Sequence, residues 1–231
     1  MRWYGQSAFR LQAEDGRSVL IDPFGAVGPA LAARGLRFDY PAIAAATADL
    51  VLITHEHVDH NAAGVVGGAP RIIRSTAGRF ASPVGPVVAV AAEHDDVAGT
   101  RAGPNTLFAF SLEGLRVCHL GDLGQPVLRL EQRAAIGPVD LLFVPVGGQA
   151  TIAAAAAFEV VRQLRPTWVV PMHYRTPAID FLEPVDAFLA GCPAVHRCAT
   201  ATFDIADIAG TAQPPAGQPG EALVVLPAVP R

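Results

Sequence analysis

The chain has 231 residues, is 51% hydrophobic and 16% charged, and carries a formal net charge of −4. That is room for one α/β domain over residues 1–231, and a mildly acidic chain whose 17 basic residues are all Arg has no basic run to grip nucleic acid. No apolar run reaches the roughly 18 residues that cross a bilayer, Met1 to Gln6 lacks the apolar core of a signal peptide, and Cys118, Cys192 and Cys198 form no CxxC pair, so a cytoplasmic protein with reduced thiols is expected.

The opening reads as a hairpin, with apolar-rich runs from Ser7 to Gln12 and Arg17 to Asp22 around the turn signal Asp15-Gly16. Residues 25–46, rich in Gly and Ala, predict a loop with a short helix. A strand over 48–53 follows, then a helix from Asn61 to Val66. Strands are predicted at Arg71 to Arg74, Val87 to Ala92, Thr106 to Ser111 and Leu115 to Leu120. A helix near Val127 to Ala135 and a strand from Asp140 to Val146 come next. Thr151 is placed to cap a helix from Ile152 to Leu164 that stops before Pro166. A β-branched strand from Thr167 to Pro171, a helix near Glu183 to Ala190, and late strands at Ala199 to Ile205 and Ala222 to Leu226 complete the pattern. Gln213 to Gly220 reads as a surface loop. Hairpins followed by β-α alternation in both halves suggest two sheets with helices outside.

Chemistry concentrates in Thr54-His55-Glu56-His57-Val58-Asp59-His60, directly after the apolar run Leu50 to Ile53. Three of the seven histidines fall here. In an extended loop alternate side chains point the same way, so His55 and His57 can converge on one metal ion. Asp59 and His60 lie next along the chain and can serve a second ion. A spacing of two does not fit the helical His-Glu-x-x-His site, so the motif belongs on a strand-ending loop. Three more candidates stand at predicted strand ends, where layered α/β folds carry their ligands. They are His94, Asp122 (within Gly121-Asp122) and His173 (within Pro171-Met172-His173-Tyr174).

Other residues receive weaker roles. His119, three residues before Asp122, projects from a strand interior and is expected to support the ligands from behind. His196 and Cys118 read as structural residues, and Asn105 as a turn residue. Tyr174 and Arg175 follow the last candidate ligand and are expected to line the substrate pocket, the Arg175 fork suiting a phosphate or carboxylate.

The whole set, with Ile21-Asp22-Pro23 early and Pro145-Val146-Gly147-Gly148 late, resembles the metallo-β-lactamase superfamily, closest to the small bacterial branch that includes ascorbate-6-phosphate lactonase. The resemblance implies an α+β fold, the four-layer αββα sandwich, with metals at one edge between the sheets. Carried over by position, His55, His57 and His94 bind a first ion, Asp59, His60 and His173 a second, and Asp122 bridges them, with Asp22 supporting the metal loop. Five imidazoles and two carboxylates suit two divalent ions, zinc above all, with manganese or iron compatible. Members that cleave lactams place Cys as a second-site ligand, and the diiron electron-transfer members replace the second histidine with Glu. Asp122 and His57 depart from both patterns and point to hydrolysis.

The expected function is a binuclear metal-dependent hydrolase acting through a metal-bound hydroxide on a small, anionic ester, lactone or phosphoester. Asp59 and Asp122 are the catalytic carboxylates. Nucleic acid and membrane are not expected as partners, and the oligomeric state is left open. The rivals are a nuclease on the same metal set, and a non-enzymatic metal-binding sensor on the same fold.

Overall fold

The computed structural model describes residues 1–211 and 222–230. A first sheet is built from β1 (Arg2–Gly5), β2 (Ala8–Gln12) and β3 (Ser18–Ile21), and then, beyond the two-residue β4 (Ala46–Thr47), from β5 (Leu50–Ile53). After β6 (Val66–Gly67), which pairs with β4, comes the edge strand β7 (Arg71–Arg74). The order is β1-β2-β3-β5-β7, antiparallel from β1 to β3 and parallel from β3 to β7.

The second sheet contains β8 (Gly78–Phe80), β9 (Val87–Glu93), β10 (Pro104–Leu112), β11 (Leu115–His119), β12 (Leu141–Pro145), β13 (Trp168–Met172), β14 (Val195–Arg197) and β15 (Leu223–Leu226). Its order is β14-β15-β13-β12-β11-β10-β9-β8. Strands β11 to β15 run parallel, whereas β8 to β11 alternate in direction.

Period-two alternation decides which side chains meet. Phe9, Leu11, Val19, Ile21, Leu50 and Leu52 join a cluster with Phe108, Phe110 and Phe143 of the second sheet. Phe9 and Phe143 touch across the interface, with ring centroids 4.5 Å apart. The alternate residues Ala8, Leu20, Val51 and Ile53 instead pack outward on Phe24, Leu31, Phe38 and Tyr40. That outer layer contains α1 (Gly28–Ala32). Over the second sheet lie α2 (Leu130–Ile136), packed on β9, and α3 (Ala154–Leu164), packed on β12 and on α4 (Asp186–Leu189). Buried Ala157, Val160, Val161 and Leu164 form the inner stripe of α3. The result is the four-layer αββα sandwich.

Several local expectations differ from the structure. Strand β1 carries no alternation strong enough to announce it. Asn61 to Val66 makes only a 3₁₀ turn, Ala63–Val65, before β6; Gly64, Gly67 and Gly68 deprive it of helix formers. Thr151 does not cap α3: its hydroxyl faces the carbonyls of Gly148 and Ile152, and the helix starts two residues later. Ala199 to Ile205 holds no strand beyond a single bridge at Thr202, and α5 (Ile205–Thr211) begins where Asp204 Oδ1 accepts the Ala206 N–H at 2.8 Å. The proline-rich tract Gln213 to Gly220 lies outside the described residues.

Candidate metal centre

Strand direction gathers the polar residues at one edge. β3 and β5 are parallel, so Asp22 and the loop from Thr54 to His60 leave the first sheet together. In the second sheet β9, β11 and β13 share one direction, because two antiparallel steps separate β9 from β11 and two parallel steps separate β11 from β13. Their C-terminal ends deliver His94, Asp122 and His173.

The side chains converge on Asp122. Its Oδ2 lies 3.1 Å from His173 Nε2, 3.3 Å from His60 Nε2, 3.3 Å from His94 Nε2 and 3.7 Å from His55 Nε2. Around it, the ligand atoms of His55, His57 and His94 fall within 4.8 Å of one another, as do those of Asp59, His60 and His173, and those of Asp22, His55 and His60. His57 is the exposed member, and His60 is fully buried. The Nε2 atoms of His55, His60 and His94 are buried with no hydrogen-bond partner among the described residues, as are Nδ1 of His94 and His173. Buried polar atoms left unpaired cost about 1–3 kcal/mol each, whereas imidazole nitrogens and carboxylate oxygens at these spacings form a ready donor set for a divalent cation. The residues therefore fit a metal.

Electrostatics follow from burial and crowding. Burial holds His55 down to about 2, with His60 adding repulsion. His57 is lowered by burial and by His94. For His60 burial opposes the charge, but the carboxylates of Asp122, Asp59 and Asp22 overcome it and hold the imidazole well above its ordinary value. Burial likewise opposes the Asp122 anion, yet His173, His60 and His55 hold its carboxyl well below the usual range.

A supporting layer fixes these groups. Asp22 accepts the Thr54 N–H at 2.8 Å and the Thr54 hydroxyl at 2.7 Å, and its Oδ2 lies 3.1 Å from His60 Nδ1. A proton held at His60 Nδ1 directs Nε2 into the cluster. Ser7 Oγ donates to Asp122 Oδ1 at 3.1 Å. His119 is fully buried; Nδ1 accepts the Gly121 N–H at 3.1 Å, so Nε2 donates to the Ser7 carbonyl at 2.9 Å. His119 thus reaches Asp122 through Ser7. Asn105, a β10 residue rather than a turn residue, accepts the Asp122 N–H at 3.1 Å and donates to the Leu120 carbonyl at 2.8 Å. Gly121 adopts φ +52°, and a Cβ there would collide with Asn105 and Thr54. Glu56 points away from the cluster and is gripped by Arg74, Ser75 and Asn61.

Tyr174 and Arg175 take other places than the sequence suggested. Tyr174 is 4% exposed and packs on Trp3, ring centroids 5.6 Å apart, inside the main core. Arg175 is exposed, and its Nε donates to the Leu182 carbonyl at 2.6 Å, bracing the loop after β13. A cavity of about 390 Å³ does reach His94, but the guanidinium on its wall is Arg101. Gln6, Ser7, Thr54 and Asn105 were not read as site residues. Ordinary polar residues without a spacing signature give no such signal.

Known proteins are similar to this chain in sequence and fold. The family model described as a beta-lactamase superfamily domain matches residues 1–173. A UPF0173 metal-dependent hydrolase of Thermococcus onnurineus is 29% identical over 206 residues, 76% of this chain and 84% of that protein. A crystal structure from Thermotoga maritima, described as a Zn-dependent hydrolase of the metallo-beta-lactamase superfamily, is 33% identical with a TM-score of 0.74, covering 99% of this chain and 97% of that one. Igni18, a metallo hydrolase from Ignicoccus hospitalis, has the same fold at 21% identity and a TM-score of 0.57 over 95% of both chains. The chain belongs to the metallo-β-lactamase superfamily, whose metal-dependent hydrolases it resembles over nearly its whole length.

Proposed function

We propose that the protein is a binuclear metal-dependent hydrolase acting on a small ester, lactone or phosphoester. The observation that carries this reading is the pair of ligand triads, His55/His57/His94 and Asp59/His60/His173, with the Asp122 carboxylate within 3.7 Å of members of both. Zinc suits the donor set best. Two divalent ions there supply Lewis acidity and a water acidic enough to lose its proton near neutral pH.

The chain's own residues do the rest. Asp59 stands beside His60, 3.5 Å from its Nε2, with its side chain 14% exposed, so it reaches both the cluster and incoming water. It is the acceptor for the proton that the attacking water gives up. Asp122, buried and hydrogen-bonded by Ser7 and Asn105, keeps one fixed geometry through the reaction. Asp22 orients His60 from behind. Among the described residues no Cys stands at the ligands, and Ser7 commits its hydroxyl proton to Asp122, so direct attack by water is favoured over a covalent enzyme intermediate.

The cavity beside His94 is the size of a small-molecule site. Its wall carries one guanidinium, Arg101, held by Asp96 at 2.6 Å beside Asp95, and this fork is the group that could meet a carboxylate or phosphate. The net charge of −4 disfavours a nucleic-acid backbone. Free Cys118, Cys192 and Cys198 suit a reducing, cytoplasmic setting. No helix among the described residues is long and apolar enough to cross a membrane.

The test is a screen of metal-loaded protein against lactones, thioesters, phosphodiesters and phosphomonoesters. Turnover of a small ester or phosphoester, lost in Asp59→Ala, supports the reading. Full loading without turnover favours a binding module, and salt-dependent nucleic-acid binding with cleavage favours a nuclease. On an anionic substrate Arg101→Ala should raise KM more than Arg175→Ala; the reverse order restores Arg175 as the clamp.

A further inference from the structure

The turn between β1 and β2 holds a buried polar side chain with one atom unpaired. Gln6 is 1% exposed, and its Nε2 donates to Asp59 Oδ2 at 3.1 Å. An ionised carboxylate only accepts hydrogen bonds, so the amide nitrogen must face Asp59 and Oε1 must face the other way. Oε1 is buried with no hydrogen-bond partner among the described residues. Buried acceptors are nearly always paired, by protein or by water.

The backbone is unusual at the same position. Gln6 adopts φ +47°, directly after Gly5 at φ +113°. A side chain with a Cβ is disfavoured there, and Gly or Asn enters that region more easily. The turn is nevertheless held firmly, because the Gln6 carbonyl accepts Trp3 Nε1 at 3.0 Å and the His173 N–H at 3.4 Å. A glutamine kept in a disfavoured conformation, with an unused acceptor beside a ligand carboxylate, points to work at the site.

Resting on the hydrolase reading above, we propose that Gln6 is a positioning residue whose Nε2 fixes Asp59 while Oε1 accepts an O–H hydrogen bond from the attacking water. The two amide heteroatoms share one carbon, so Oε1 is necessarily close to the Asp59 contact. Asp59 takes the water's first proton and passes it to solvent, and Gln6 Oε1 holds the remaining hydrogen, so that the oxygen lone pair faces the substrate. The new bond forms from that deprotonated oxygen to carbon or phosphorus, and the leaving group departs with the electrons of the broken bond.

Gln6→Asn tests this, because Asn enters the left-handed region readily and preserves the turn, but it is one methylene shorter and withdraws both amide atoms. The measurements are thermal unfolding, elemental analysis, and kcat and KM with a p-nitrophenyl ester and bis-p-nitrophenyl phosphate. The expected result is unchanged melting and metal content, unchanged KM, and kcat lowered by about 10- to 100-fold. A cobalt-substituted sample gives a readout independent of turnover: the pH midpoint of its visible band should differ between Gln6→Asn and the parent. Equal kcat with superimposable titrations overturns the inference. So does metal loss in step with activity, which would make Gln6 a brace for Asp59 alone, or a rise in KM at constant kcat, which would make Oε1 a substrate contact. If the parent hydrolyses neither probe, the wider screen decides on the hydrolase reading, and the cobalt titration decides on Gln6.

Discussion

Replacing Asp122 by Ala removes the one anion that four buried histidines share. Its Oδ2 stands between 3.1 and 3.7 Å from the Nε2 atoms of His173, His60, His94 and His55, so it lies within reach of members of both triads. A unit charge about 4 Å from another, in partly screened surroundings, is worth about 4 kcal/mol. At about 1.4 kcal/mol per decade that is about three decades of affinity for an ion that loses it. His119 sits one step further out and acts on Asp122 indirectly, through Ser7 and through the Gly121 N–H it accepts. His119→Ala should therefore cost about 10- to 100-fold. The assay is titration of metal-free protein with zinc against a chromophoric chelator, with circular dichroism to show that both variants remain folded. Loading abolished in His119→Ala but retained in Asp122→Ala would refute the assignment of Asp122 as the shared ligand.

Gly121→Ala should cost more than the about 1–2 kcal/mol of a left-handed Ala, because its Cβ also meets Asn105 and Thr54; thermal unfolding and zinc titration should both move, and a neutral result would mean the loop relaxes freely. Hydrolysis should rise with pH to a plateau near neutrality, set by a bound-water pKa of about 7; trapping a covalent acyl or phosphoryl enzyme would contradict it. Burial pushes the Cys118 thiol up to about 12 and closes it to solvent. Iodoacetamide should therefore modify Cys198 first, Cys192 more slowly because burial pushes its thiol up to about 11, and Cys118 only after denaturation, as read by peptide mass spectrometry.

The cluster was legible because its residues announce themselves twice, by type and by position. His55, His57, Asp59 and His60 crowd one loop, and His94, Asp122 and His173 each follow an apolar strand, so convergence needs only that those strands end at one edge. Strand β5 was equally plain, since burial of all four residues leaves an unbroken apolar run. The groups that hold the ligands were not legible. Ser7 reaches Asp122 across 115 residues and Gln6 reaches Asp59 across 53, and neither Ser nor Gln is a residue type that signals a metal site. Sequence adjacency misled at Tyr174. Neighbouring residues at a strand end point apart, so His173 enters the cluster while Tyr174 turns to Trp3. The same failing pointed to Arg175, whereas the guanidinium lining the cavity at His94 is Arg101, which is remote in sequence from every ligand except His94. The region from Ala199 to Ile205 shows the other limit: small Ala and Thr residues mimic a strand, and the Asp204 side chain instead opens a helix.

Anomalous diffraction from crystals of the zinc-loaded protein tests the binuclear centre most directly. The expected result is two peaks per chain, roughly 3.5–4 Å apart, one against His55, His57 and His94, the other against Asp59, His60 and His173, with Asp122 touching both. A single peak at full zinc saturation would contradict it.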